Sequence, residues 1–137
     1  MHLLSLREHS RFELERKLLR RHEQAAVHQV LQNLAQQGLQ SDERFAEQYV
    51  YSRRNRGYGP LRIRAELLER GVAEELISIW LDAPEQDWHV LMLETAEKKF
   101  GGQPPADRRE MAKRGRFLSS RGFPSWMIND YLFGQSQ

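Results

Sequence analysis

The feature that most constrains this chain is a self-similarity at a spacing of about 50 residues. A repeat of that length is one supersecondary unit, and such units bury apolar faces within themselves and against neighbouring copies. Leu67-Leu68-Glu69-Arg70-Gly71-Val72 matches Leu118-Ser119-Ser120-Arg121-Gly122-Phe123, an offset of 51. At the same offset Leu76, Ile77, Trp80 and Leu81 fall on Met127, Ile128, Tyr131 and Leu132. Upstream, at an offset of 49, Leu61, Ile63, Leu67 and Leu68 fall on Phe12, Leu14, Leu18 and Leu19. The spacing predicts three units, 1–40 (short at its N-terminal side), 41–83 and 84–137, each with room for three short helices.

Helix signals fill these units and strand signals are nearly absent. Ser10 and Glu13 form a capping box, in which each side chain satisfies a free backbone amide at a helix start, and helix should follow to about Arg21. Val27, Val30, Leu31 and Leu34 make one amphipathic stripe, with Gly38 placed to end it. Ser41 caps a helix whose first turn carries Asp42 and Glu43, where the helix dipole favours acids, and which stops at Gly57. Pro60 stands at a first helical position, and that helix ends at Gly71. A short helix over 73–81 follows. After Pro84 comes a helix carrying Trp88, Leu91, Met92 and Phe100, then a break at Gly101-Gly102-Gln103-Pro104-Pro105. Two more helices are expected near 107–121 and 124–133. Gly115, inside the first of these, costs about 1 kcal/mol against alanine. The fold class expected is all-α: tandem three-helix repeats, about three units of roughly 50 residues, in an elongated, curved array.

Charge narrows the function classes. The net charge is only +2, but 20 of the 21 basic residues fall in three islands, at 7–21, 53–70 and 98–121. Between them, 71–97 holds seven acids and no Lys or Arg. Such striping hides strong local positive fields and suits a partner bearing phosphate or acidic groups. With 0 cysteines there is no disulfide, thiolate metal site or cysteine nucleophile, in keeping with a reducing, cytoplasmic location. No apolar run approaches the roughly 20 residues of a membrane span, and Arg7 and Glu8 come too early for a signal-peptide core. His22 and His28 lie six apart, about 240° around a helix, so they cannot share a metal as an i, i+4 pair does. Gly57-Tyr58-Gly59 lacks the third glycine and the preceding strand of a dinucleotide loop. No phosphate loop or glycine-flanked serine nucleophile occurs. No catalytic constellation, cofactor or metal is expected.

The segment from Ser52 to Arg64 gathers five arginines, two loop glycines and Tyr58 between two helices. Guanidinium forks grip phosphate or carboxylate in two-point fashion. Tyr58 either presents its ring for base stacking or partner contact, or folds back to pack the corner between helices.

These residues also carry a resemblance. Asp42-Glu43-Arg44-Phe45-Ala46, then Ser52-Arg53, then Arg56-Gly57-Tyr58-Gly59-Pro60-Leu61-Arg62-Ile63-Arg64-Ala65-Glu66-Leu67 and Arg70-Gly71-Val72, resemble the RecX family of RecA regulators. The resemblance begins at Arg7-Glu8-His9-Ser10 and reaches Gly134. The first unit departs from it, with Arg21-His22-Glu23 where the pattern has a basic residue, a glycine and an aromatic. It implies tandem three-helix repeats without catalytic activity, which bind RecA filaments on single-stranded DNA in their helical groove. It also implies damping of ATP hydrolysis, strand exchange and filament extension, and so of recombination, repair and the SOS response. The candidate RecA- or DNA-binding residues are Arg53, Arg54, Arg56, Tyr58, Arg62, Arg64, Lys113, Arg114, Arg116 and Arg121, in a monomer with no membrane contact. Duplex DNA is a further candidate partner. The acidic 71–97 stretch could face basic surfaces of RecA or solvent. The competing class is a free-standing helix-turn-helix binder that reads duplex DNA with one middle helix.

Overall fold

A computed structural model describes residues 8–20, 23–38 and 40–134. Among them are eight helices and no strand: α1 (Arg11–Leu19), α2 (Gln24–Gln36), α3 (Asp42–Asn55), α4 (Pro60–Glu69), α5 (Glu74–Leu81), α6 (Trp88–Phe100), α7 (Arg108–Arg121) and α8 (Ser125–Phe133). Arg7, Arg21 and His22 lie outside the described residues.

Local chemistry accounts for most boundaries. The capping box at Ser10 and Glu13 forms as expected, and the Ser41 hydroxyl accepts from the Arg44 amide at 3.1 Å. α6 opens later than the Pro84 signal suggests. Asp87, not an earlier residue, caps it by accepting from the Val90 amide. Gly115 does not interrupt α7. A Cβ there would meet Leu132 of α8 at 3.5 Å, an ordinary van der Waals contact, so packing does not demand glycine at this position. Val30 is not core. Val27, Leu31 and Leu34 are buried while Val30 is 37% exposed, because it lies about 60° from Val27 at the margin of the stripe.

The repeat is visible atom by atom. Gly71 and Gly122 take left-handed φ of 78° and 99°. Each closes its helix the same way: Gly71 donates to Leu68 and Val72 to Leu67, while Gly122 donates to Ser119 and Phe123 to Leu118. Val72 and Phe123 are then both buried at 2% exposure. These are left-handed helix C-caps with their accompanying apolar contact.

By packing, the chain falls into two compact units, Met1–Tyr51 with Glu66–Asp82, and Ser52–Ala65 with Ala83–Gln137. The first holds a core of Leu14, Val27, Leu31 and Leu34, with Leu18 against it. It also seats one glycine turn on a helix start. A Cβ on Gly71 would collide with Phe12, and the Ser10 hydroxyl donates to the Arg70 carbonyl at 2.7 Å. The second unit buries Ile63, Leu91, Met92, Leu118, Phe123, Met127 and Ile128. It repeats the junction: a Cβ on Gly122 would collide with Arg62, and Leu61 donates to the Gly122 carbonyl at 3.0 Å.

Candidate functional site

Within the second unit, the turn between α3 and α4 is built to display cations. Arg53 and Arg54 occupy the last turn of α3, where the partial negative charge of the helix end favours them. The chain then reverses through bonds from the Arg56, Gly57 and Tyr58 amides to the Arg53, Arg54 and Arg53 carbonyls, with Gly57 at φ 83°. Gly59 donates to the Arg121 carbonyl at 2.7 Å, and a Cβ on Gly59 would stand 2.6 Å from the Gly122 carbonyl oxygen. Only glycine permits this approach of two backbones. Two arginines stitch the same junction: Arg62 Nη1 donates to the Ser120 carbonyl and Arg121 Nη1 to the Arg56 carbonyl.

Tyr58 sits half-buried in this turn, and the structure favours its packing role. The guanidinium carbons of Arg53, Arg62 and Arg121 lie 3.9, 4.4 and 4.8 Å from its ring centre. Each distance is within cation–π range. The ring is occupied by guanidinium groups and so fixes where three of the candidate arginines stand.

Beside the turn is a cleft of about 430 Å³. Arg54, Asn55, Arg56 and Gly57 form one wall; Leu91, Glu94, Thr95, Lys98 and Lys99 of α6 another; Phe117 and Arg121 of α7 the third. Five cations thus face one carboxylate. Gly57 makes room for α6, since a Cβ there would come 3.1 Å from Thr95 Oγ1. The Thr95 hydroxyl turns back to the Leu91 carbonyl at 2.8 Å. The Arg54 guanidinium lies 5.9 Å from the Trp88 ring centre, and its Nε is buried with no hydrogen-bond partner among the described residues. Lys99 and Arg121 flank the Phe117 ring at 5.5 and 4.9 Å.

Of the ten residues singled out from sequence, Arg54, Arg56 and Arg121 therefore line the cleft, with Arg53, Tyr58 and Arg62 in the adjoining cluster. Arg64 is half-buried on α4, outside the lining. Lys113 and Arg116 are exposed on α7 and also outside it. Arg114 is turned inward, 4% exposed. It donates from Nε to Glu110 at 3.1 Å and from Nη1 to the Gln103 carbonyl and the Tyr131 hydroxyl at 2.9 and 2.8 Å. These donors are spent on holding the fold. Lys98 and Lys99 are the residues sequence reading left out. Their signal was the spacing of Leu91, Glu94, Thr95 and Lys98 at i, i+3, i+4 and i+7, one face of α6.

Comparison with known proteins places this geometry in context. Three family profiles match the chain: RecX, first three-helix domain, over residues 1–34; second, over 41–80; and third, over 89–132. The regulatory protein RecX of Halorhodospira halophila is 48% identical over 124 residues, covering 90% of this chain and 77% of that protein. That of Chromohalobacter salexigens is 49% identical over 122 residues, covering 88% and 80%. A crystal structure of a regulatory protein RecX superposes with a TM-score of 0.76 at 26% identity, covering 99% of this chain and 68% of that one. The RecX structure from Lactobacillus salivarius, at 21% identity and a TM-score of 0.76, shares the fold.

Proposed function

Because the chain belongs to the RecX family of regulatory proteins, built of three tandem three-helix domains, we propose that it restrains RecA by lying in the groove of the RecA filament on single-stranded DNA. There it slows ATP hydrolysis, strand exchange and filament extension, and so modulates recombination, repair and the SOS response. On this reading it acts in the cytoplasm as a monomer and performs no chemistry of its own.

The observation that carries the reading is the convergence of two basic islands, 53–70 and 98–121, on one cleft of the second unit. Cations delivered by three separate segments and held by glycine turns form a prearranged phosphate-facing surface. Prearrangement lowers the ordering cost of binding. Arg53 and Arg62, held against Tyr58, extend the same charge beside the cleft. The shared chemistry also suits acidic groups of the RecA protomers themselves.

The test is the variant Arg53→Ala/Arg54→Ala/Arg56→Ala, checked by circular dichroism and urea denaturation and then titrated against RecA ATP hydrolysis on single-stranded DNA. Half-suppression is expected to need about tenfold more of the variant, the loss that about 1.4 kcal/mol of removed contact produces. Unchanged suppression at matched stability defeats the proposal. Binding to duplex DNA with sequence preference would favour a helix-turn-helix reader instead.

A further inference from the structure

We propose that the cleft between the Arg54–Gly57 turn, α6 and α7 is a binding site for a free nucleoside triphosphate, a ligand distinct from the nucleic-acid strand of the filament reading.

Charge density is the first ground. Arg54, Arg56, Lys98, Lys99 and Arg121 oppose a single acid, Glu94, leaving four positive charges in excess around about 430 Å³. Among the described residues none of the five has a carboxylate within ion-pair distance, so the field is not neutralised internally. A phosphate monoester carries about −1.5 to −2 near neutral pH. With one charge on each remaining phosphate, a nucleoside triphosphate brings about four. A dinucleotide stretch of strand brings about two and leaves the cleft half compensated. Size is the second ground, because the volume falls in the range of small-molecule sites, roughly 300–1,000 Å³.

The third ground is an unmet donor. Arg54 Nε is buried and has no hydrogen-bond partner among the described residues, although buried donors are nearly always satisfied. A phosphate oxygen seated in the cleft supplies the missing acceptor. The fourth is the mixed lining. Leu91 and Phe117 give an apolar wall beside the cations, and an apolar wall joined to a few convergent polar groups is the usual makeup of a small-molecule site. Phosphates between the arginines and lysines, with the base toward Phe117, use both kinds of wall.

The test titrates the full-length chain by calorimetry at physiological ionic strength with ATP, inorganic tripolyphosphate and the dinucleotide pTpT. One ATP per chain is expected, about tenfold tighter than tripolyphosphate, which lacks a base, and tighter again than pTpT. Lys98→Ala/Lys99→Ala changes two exposed side chains, so folding is not at issue, and should weaken ATP at least tenfold. Arg108→Ala/Arg109→Ala removes the same charge from exposed positions outside the cleft and should shift ATP affinity less than twofold. Four outcomes overturn the proposal: no saturable ATP binding; equal loss in the two double variants; tripolyphosphate as tight as ATP; or pTpT as tight as ATP. The filament reading is judged separately, since suppression of RecA by a chain that ignores ATP sinks only this inference. ATP binding by a chain whose triple-arginine variant still suppresses RecA sinks only the other.

Discussion

A guanidinium keeps its charge when buried, so sealing one inside a small helical unit requires acceptors around it. Arg114 meets that condition through Glu110, the Gln103 carbonyl and the Tyr131 hydroxyl, with the Phe100 ring 5.2 Å away. Burial by itself would lower its pKa. The hydrogen bonds that Arg114 donates to Tyr131 and Glu110 outweigh burial, so the net shift is upward from an already high value. A group whose pKa is raised on folding lends stability that is lost only as pH climbs through the folded value. Arg114 therefore adds no pH dependence near neutrality. Its removal does matter: Arg114→Met strands a carboxylate and two polar oxygens around an apolar chain. Urea denaturation should show a loss of about 3 kcal/mol with no change in its size between pH 6 and 9. A loss below about 1 kcal/mol, or one that fades within that window, contradicts the assignment. In sequence Arg114 looks like its neighbours Lys113 and Arg116. What sets it apart is register, since it lies one turn before the buried Leu118 and one turn after Glu110, and composition is blind to register.

At the scale of the helix, caps differ in what else they hold. Asp107 accepts from the Glu110 amide at 2.9 Å in an exposed position, and caps α7 only. Ser10 accepts from the Glu13 amide at 3.1 Å and also donates to the Arg70 carbonyl at 2.7 Å, with no exposed surface of its own. Asp107→Ala should cost about 1 kcal/mol, the usual worth of a cap. Ser10→Ala should cost about 2–3 kcal/mol, because it adds a carbonyl left unsatisfied in a half-buried site. Paired thermal melts check the order, and equal costs would mean that the Ser10–Arg70 bond contributes nothing. The helix starts at Ser10, Ser41 and Pro60 were readable from sequence because capping is a local code of a few residues. The start of α6 was not, since the opening was read from Pro84 while the cap is Asp87, which accepts from the Val90 amide. The continuity of α7 through Gly115 was expected, at the usual cost of a glycine inside a helix.

For the whole molecule the deciding quantity is which cations remain available after internal pairing. A net charge of +2 says nothing about that, and the three islands say only where cations are concentrated. Pairing is a long-range matter. Arg44 is spent on Glu8 at 2.6 Å and on the Gly38 carbonyl; Arg70 stands 3.6 Å from Glu13 and over Tyr49; Arg114 is buried. The two islands that meet at the cleft became one site only through the Gly59–Gly122 junction, which joins residues far apart in the chain. Counterion release makes this testable. Each single-strand phosphate neutralised contributes about 0.7 to the slope of log affinity against log salt. If the cleft and its arginine cluster supply the contacts, Lys98→Ala/Lys99→Ala should flatten the slope for an oligothymidine by about 1.4. Arg44→Ala should leave it unchanged, because that charge is already opposed by Glu8. Fluorescence anisotropy over a salt series measures both. Equal flattening by the two variants would mean that affinity follows total charge alone, and that the clustering of cations at the cleft has no bearing on how the protein meets a strand.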